Sequence, residues 1–218
     1  MSYRVLKPKK GQALVLRKCY RKEGKLTSRN NFIWPEKGPV EAPDFKPTFK
    51  RGHGLHGLLW GAGSPGYLDG DTWLCVLVDA DSDNLMTGQG ELTCKCKFRA
   101  ALDVSVGELS EIIGNIQRYA PAGTLINFAI QGGGNWSTQT AGDKSTQTAG
   151  NRSTQTAGDE STFQAGINSV LIGRWWDGDK YCVSTMTIDE QTANKKIFFK
   201  QGVFTVQDEP ALAQEAHP

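Results

Sequence analysis

The sequence has no run of about 18 apolar residues, so it predicts no transmembrane helix. Its first twenty residues, MSYRVLKPKKGQALVLRKCY, contain neither an apolar segment of signal-peptide length nor a small-residue cleavage site, so no secretory signal peptide is expected. Cysteine is sparse and odd in number, at Cys19, Cys75, Cys94, Cys96 and Cys182. These scattered residues do not make a dense disulfide framework, so we expect reduced, buried thiols.

Motifs for catalysis and for metal or nucleotide binding are also missing. The stretch GHGLHGLLWGAG matches neither a P-loop nor a dinucleotide fingerprint, and no Ser/His/Asp set or carboxylate pair has supporting context. His53 and His56 lack an apparent third metal ligand, and Cys94 and Cys96 lack the second cysteine pair of a zinc site. We therefore predict no enzyme activity, no metal and no cofactor.

Positive charge is concentrated in the first quarter of the chain. Residues 1–51 contain 14 Lys and Arg against four Asp and Glu, whereas the remainder contains 11 against 19. Such a basic region can bind an anionic surface, whether phosphorylated lipid, acidic glycan, nucleic acid or an acidic partner. The alternative is a solvated basic face on an ordinary soluble domain.

Hydrophobic patterning predicts strands and one helix before the middle of the chain. Residues 12–20 and 72–79 are predicted strands, the second apolar and bounded by aspartates. A helix is predicted from Ser105 to about Tyr119, with Ser105 and Glu108 as its capping box. Its apolar face would consist of Leu109, Ile112, Ile113 and Ile116.

Further strands are predicted on either side of the middle segment. Residues 91–102 (ELTCKCKFRAAL) alternate and are a strand candidate. Residues 168–188 and 195–208 are predicted to form strands with turns at Asp177-Gly178 and Gln201-Gly202.

A small polar octapeptide is repeated in the middle of the chain. Residues 135–166 read NWSTQTAG DKSTQTAG NRSTQTAG DESTFQAG, with degenerate copies at 127–134 and 167–174. A fixed short period indicates stacked coils, since eight residues make one short strand plus a turn supplied by Gly with Asn or Asp. Two octads can close one coil, which predicts a short β-solenoid of 16-residue coils. A disordered linker and a purely structural spacer are the alternatives.

Side-chain alternation along a strand assigns the two faces of each octad. Phe163 and Leu171 occupy the Gln139 position in the last two copies, so that position is predicted to point inward. The predicted interior consists of Ser137, Gln139, Ser145, Gln147, Ser153, Gln155, Phe163 and Leu171. The predicted outward residues are Thr138, Thr140, Thr146, Thr148, Thr154, Thr156 and, unpaired because Gln164 replaces its partner, Thr162. Ranks of Thr methyls and hydroxyls on stiff rotamers can order water.

The repeat resembles the central repeat of the bacterial ice nucleation proteins. The segments GQALVLRKC, NFIWPEKGPVE and GLHGLLWGAG resemble that family's N-terminal domain in the same order, and NSVLIGRWWDGDKY resembles its C-terminal cap. The resemblance covers nearly the whole chain. It implies a β-solenoid whose outward Thr-x-Thr ranks organise ice-like water, and a cap that supports self-association. It also implies an outer-membrane or cell-surface location through the N-terminal domain.

The predicted architecture is mainly β, in three parts. Residues 1–126 form an N-terminal α+β domain, 127–174 the solenoid and 175–218 a C-terminal β cap. Trp175 and Trp176, with Tyr181, are assigned to the cap, where the tryptophans are predicted to plug the last coil; sugar binding by the tryptophans is the alternative.

The predicted function is ice binding, with ice nucleation on self-assembly. Ice or ordered water and a second copy are the predicted partners, and no nucleic acid is expected. Two coils at ~4.8 Å each give a face about 10 Å long, far smaller than a critical ice embryo, which is why assembly is needed. One alternative is an interaction module whose basic N-terminal domain binds an anionic surface, such as a membrane, or a partner protein, with the solenoid as spacer. Another is a soluble ice binder that slows crystal growth.

Overall fold

The computed structural model describes residues 3–207, which form two compact units of mainly β structure. The N-terminal unit contains residues 3–129 and 141–143, and the C-terminal unit contains residues 130–140 and 144–207. The predicted mainly β class is confirmed. Residues 208–218, the end of the predicted cap, lie outside the described residues. Within residues 3–207 no helix has the length and apolar character needed to cross a membrane.

The N-terminal unit is built on one large antiparallel sheet. Its strands are β1 (Gln12–Lys22), β2 (Lys25–Thr27), β3 (Ile33–Trp34), β4 (Val40–Glu41), β5 (Leu55–Leu59), β6 (Thr72–Asp79), β7 (Leu85–Met86), β8 (Cys96–Phe98), β9 (Ala100–Ala101) and β10 (Asp103–Gly107). The main sheet has the order β10-β6-β1-β5-β8-β7; β2 and β3 extend from β1, and β4 pairs with β9. Single 3₁₀ turns lie at Pro65–Tyr67 and Gly90–Leu92.

Both faces of this sheet are covered, which explains the continuous apolar runs of β1 and β6. On one face Val15 and Val76 pack with Trp34 and Phe98. On the other face Leu14 and Leu16 pack with the helix α1 (Leu109–Tyr119), which contributes Ile112, Ile113 and Ile116. The predicted strand at 72–79 is confirmed as β6.

Two local predictions in this unit are wrong. The capping box joins Glu108 to Glu111, because pairing with β6 extends β10 through Gly107 and places Ser105 within a strand. The hydroxyl of Ser105 instead accepts a hydrogen bond from the Arg4 backbone N–H at 3.0 Å. The strand predicted over 91–102 is also interrupted: it begins with the 3₁₀ turn and forms only the short strands β8 and β9.

The C-terminal unit contains two sheets made from alternating octads. Its strands are β11 (Ile130–Gly132), β12 (Thr138–Thr140), β13 (Thr146–Thr148), β14 (Thr154–Ala157), β15 (Ser161–Gln164), β16 (Val170–Trp176), β17 (Tyr181–Thr187), β18 (Lys196–Lys200) and β19 (Val203–Gln207). Sheet A has the order β12-β14-β16-β17, and sheet B has the order β11-β13-β15-β18-β19. The octad strands pair in parallel, each with the strand of the next octad but one.

The last strands of both sheets run antiparallel to the octad strands. The chain reverses after β16 into β17 and after β18 into β19, with Gly178 and Gly202 at positive φ in the two predicted turns. An apolar core lies at this end of the unit and includes Phe163, Leu171 and Phe199, all fully buried.

Candidate functional site

The outward threonines of the repeat are divided between the two sheets. Thr138, Thr140, Thr154 and Thr156 belong to sheet A, whereas Thr146, Thr148 and Thr162 belong to sheet B. Thr138, Thr140, Thr146 and Thr148 are exposed, and Thr154, Thr156 and Thr162 are half-exposed. The sequence alone treats these residues as one set, but strand pairing brings together only the threonines of every second octad.

Sheet A carries the more regular outward surface. Register aligns the outward residues of β12 and β14 with residues of β16 and β17 in two rows: Thr138, Thr154, Val170 and Thr187 in one, and Thr140, Thr156, Ile172 and Thr185 in the other. All eight are uncharged and β-branched. Thr185 and Thr187 are exposed on β17, outside the octads, and the sequence analysis missed them. The signal was a Thr-x-Thr triplet in STMT that does not keep the octad phase.

Sheet B carries a mixed outward surface. Its rows are Ile130, Thr146, Thr162, Phe198 and Thr205 in one, and Gly132, Thr148, Gln164, Lys196 and Gln207 in the other. Six of these ten residues are not threonine: a lysine, a phenylalanine, an isoleucine, two glutamines and a glycine. The two sheets therefore differ in their outward chemistry even though their octads are nearly identical.

Glutamine ladders fill the interior between the two sheets. Gln139 is 7% exposed, and Gln147 and Gln155 are fully buried. The Nε2 atom of Gln155 donates to Oε1 of Gln139 at 2.9 Å, two octads earlier in the same sheet. Nε2 of Gln147 also donates across the interior to the Thr156 carbonyl at 3.0 Å. Each buried amide therefore links neighbouring strands of one sheet and ties that sheet to the other.

The ladders end where Phe163 and Leu171 replace glutamine. Phe163 lies in register with Gln147, and Leu171 with Gln155. The Oε1 atoms of these two glutamines are buried and have no hydrogen-bond partner among the described residues, because the next rung offers no amide donor. The polar interior thus passes into an apolar core over one rung.

Serines form a second ladder beside the glutamines. The backbone N–H of Ser137 donates to Ser153 Oγ at 3.2 Å, and that of Ser153 donates to Ser169 Oγ at 3.0 Å. The backbone N–H of Ser145 donates in the same way to Ser161 Oγ at 3.1 Å. The Oγ atom of each repeated serine therefore satisfies a backbone N–H group that lies just before an octad strand.

The chain turns at the variable second residue of each octad, which forms a corner between successive strands. Trp136, Lys144, Arg152 and Glu160 all have φ between 54° and 60°, although none is glycine. Corner residues two octads apart make favourable contacts: the Arg152 guanidinium lies 4.9 Å from the Trp136 ring centre, and Lys144 Nζ lies 2.9 Å from Glu160 Oε2. Hydrogen bonds from Lys144 and then Lys200 lower the pKa of Glu160.

Close packing against the chain two octads earlier requires glycine at Gly150 and Gly166. A Cβ atom added to Gly166 would lie 2.0 Å from Asn151 Oδ1 and 2.7 Å from its backbone N. Gly150 meets Asn135 in the same way, at 2.2 Å and 2.7 Å. The Asn135 Oδ1 atom accepts a hydrogen bond from the Asn151 backbone N–H at 2.8 Å, so the Asn135 side chain and the Asn151 backbone cannot easily move aside.

Replacing Gly166 by alanine is therefore expected to destabilise the C-terminal unit by about 2 kcal/mol or more, because the added methyl overlaps a hydrogen-bonded backbone. Gly134→Ala is the matched control, since a Cβ there meets nothing within 4 Å. Urea denaturation measures both. Equal stability of the two variants would show that the coils are not packed this closely.

The predicted cap aromatics lie on the β16–β17 hairpin. Trp175 is half-buried and packs against the apolar core, but Trp176 is 54% exposed and Tyr181 is 63% exposed. The last two form an edge-to-face pair with ring centres 5.1 Å apart. Burial at this end is provided by Phe163, Leu171 and Phe199, and not by Trp176.

The residues considered for metal binding form no metal centre in the described part of the chain. Within residues 3–207 no group of three or more His, Cys, Asp and Glu side chains is placed to hold a metal ion. All five cysteines are free thiols, and burial raises the pKa of Cys75 and Cys96, to about 11 and about 12.

These features define a class: a β repeat protein whose stacked octads display threonine rows outward over a hydrogen-bonded Gln and Ser interior. The comparisons with known proteins name a family. The chain is 34% identical over 112 residues to an ice nucleation protein of Pseudomonas fluorescens and 32% identical over 111 residues to one of Xanthomonas campestris pv. translucens. It is 38% identical over 76 residues to ice nucleation protein InaU of Pantoea ananas.

The first two matches each cover 50% of this chain, and the third covers 34%. They span only 9%, 7% and 7% of those proteins, so the chain corresponds to a small part of its curated relatives. No family model and no solved structure matches it. The resemblance predicted from the octads and their flanking segments is confirmed: the chain is similar to the bacterial ice nucleation proteins.

Proposed function

We propose that this protein binds ice through the outward face of sheet A and nucleates ice when several copies assemble. The names of its relatives support a role in ice nucleation in general. The observation that carries the specific proposal is the pair of sheet A rows, in which all eight outward side chains are uncharged and β-branched.

The proposed scaffold is a short β-solenoid at 127–174, with two octads to each coil, closed by the cap. Its support is the parallel pairing of every second octad strand and the glutamines that cross between the sheets. Outward side chains then repeat at ~4.8 Å between strands and ~6.6–7 Å along each strand. β-Branched rotamers are stiff, so hydroxyls and methyls keep this spacing and hold water in a fixed pattern.

Nucleation is proposed to require assembly of several copies because sheet A alone is small. Four strands at ~4.8 Å span about 14 Å, well below the size of an ice embryo that can grow near 0 °C. The edges of sheet A are β12 and β17, and an exposed edge strand can pair with another copy. An outer-membrane or cell-surface location, as the resemblance implies, belongs to the same proposal.

Droplet freezing across a concentration series of the purified protein tests this function. We expect droplets to freeze above the temperature of buffer, with an onset that rises steeply with protein concentration because assembled copies present a larger face. Freezing like buffer at every concentration would contradict nucleation. If the protein then slowed the growth of seeded crystals, it would bind ice without starting it.

A further inference from the structure

The N-terminal unit contains a cationic groove that the ice-binding proposal does not use. Two adjoining cavities, of about 520 Å³ and about 370 Å³, share four lining residues. These residues are Arg17, Arg29, His56 and Lys95. Lys18 lines the smaller cavity, and both cavities lie entirely within this unit.

The groove lies where β1 and β5 of the main sheet separate. The two strands pair only through Val15 and Leu16 of β1, whereas the first three residues of β5 (55–57) pair with β8 on the other side. Beyond Leu16 the gap is filled by Arg17, whose guanidinium donates to the His56 carbonyl and lies 4.4 Å from the Trp34 ring centre. The sheet and this buried ring therefore hold Arg17 in place.

The cations of the groove are not paired with carboxylates in the described part of the chain. Among residues 3–207, Arg17, Lys18, Arg29 and Lys95 form no ion pair with a carboxylate within 4.0 Å. Two acids also line the cavities. Asp44 Oδ2 lies 3.4 Å from His53 Nδ1, and the carboxylate of Asp69 accepts a hydrogen bond from the Tyr20 hydroxyl.

Burial first, and the neighbouring positive charges second, lower the pKa of two groove residues. Burial lowers the pKa of Lys95, and the charges of Arg51 and Arg17 lower it further. Burial and the charges of Lys95, Arg17 and Lys97 lower the pKa of His56 to about 4, so its imidazole is neutral at pH 7. Arg17 Nε and His56 Nε2 are buried without a hydrogen-bond partner among the described residues.

We propose that this groove binds a phosphate-type oxyanion, independently of the ice-binding face. Its cations come from β1, from the β2–β3 connection (Arg29) and from the residue before β8 (Lys95). Donors arriving from three directions suit a tetrahedral anion with several oxygens better than a planar carboxylate with two. Arg offers a rigid fork of donors and Lys a point charge, the combination that proteins use for phosphate.

Isothermal titration of the full chain with inorganic phosphate at constant ionic strength tests the site, with acetate as the comparison anion. We expect saturable phosphate binding that is weakened about tenfold or more in the variant Arg29→Gln/Lys95→Gln. Both side chains reach solvent, so the fold is expected to survive. Lys22→Gln/Lys25→Gln removes two exposed lysines outside the groove; it is the matched control and should bind like the unchanged protein. Equal loss in control and double variant, or equal binding of acetate, would overturn the proposal.

Vesicles distinguish the two sources of a phosphate group. Binding to phosphatidic acid in phosphatidylcholine that is competed by inorganic phosphate and lost in the double variant would assign a lipid headgroup. Phosphate binding without vesicle binding would assign a soluble phosphate compound. Vesicle binding that neither phosphate nor the double variant reduces, without phosphate binding in solution, would show attraction to the general basic surface and would refute the groove.

Discussion

Charged side chains on the outward face of sheet A are expected to return the freezing temperature of droplets containing this protein to that of buffer. The variant carries Thr138→Lys, Thr140→Lys, Thr154→Lys and Thr156→Lys. Lysine removes the methyl and hydroxyl pattern at four of eight positions, and its flexible, strongly hydrated ammonium group binds water in an arrangement unlike ice. The loss should be complete, because assembly multiplies the same face in every copy.

Sheet B supplies the matched control. It receives the same number of lysines at outward threonines that lie in mixed rows, namely Thr146, Thr148, Thr162 and Thr205. This variant has the same net charge as the first and should keep most of the freezing activity. Circular dichroism verifies that both variants remain folded. Loss of activity in the sheet B variant alone would place the ice-binding face on the other side of the repeat.

The cap strand offers a finer test of the same surface. Thr185 and Thr187 continue the sheet A rows beyond Val170 and Ile172. Replacing both by lysine leaves every octad unchanged and should lower the freezing onset part of the way toward that of buffer. An unchanged onset would confine the active surface to the octads.

Phe163→Ala is expected to cost about 3–5 kcal/mol in the free energy of unfolding of the C-terminal unit. Phe163 is fully buried, lies in register with Ile197, and has its ring centre 5.9 Å from that of Phe204. Truncation would leave a cavity in the only apolar core found in the described part of this unit. Urea denaturation, followed by the near-ultraviolet dichroism of the aromatic side chains, measures the loss.

Two further substitutions at the same position separate packing from hydrogen bonding. Phe163→Leu keeps most of the apolar volume and should cost much less than alanine. Phe163→Gln gives the unpaired Oε1 of Gln147 a possible amide donor but places a polar group against Phe199 and Phe204. We expect it to be destabilised as well, since packing outweighs one recovered hydrogen bond. Stability equal to that of the unchanged protein would show that ladder continuity dominates.

Much of the repeat was predictable because its determinants are local. Alternation along a strand has a period of two, so Phe163 and Leu171 at the Gln139 position were enough to indicate an inward row. The structure buries Gln139, Gln147 and Gln155 between outward threonines. Which of these outward residues contact ice stays a prediction.

Other features depended on contacts that local patterning does not contain. Ser105 has good capping chemistry, but pairing of β10 with β6 places it within a strand and moves the cap to Glu108. The corner of each octad falls on residues such as Lys144 and Arg152, whose positive φ no propensity would assign. Their partners, the Glu160 carboxylate and the Trp136 ring, lie two octads away along the chain and are found only from the strand pairing.

The octad period and the inward and outward sides of each octad follow from sequence alone, since strand side chains alternate and the copies can be compared position by position. The family resemblance also follows from sequence alone, through the octads and the order of their flanking segments. The tertiary structure decided which threonines share a surface, because each octad strand pairs with the next but one and successive octads therefore enter different sheets. It also added Thr185 and Thr187 to sheet A and assembled the cationic groove from Arg17, Arg29 and Lys95. Those groups are brought together by strand pairing and core burial, which connect positions far apart in the chain.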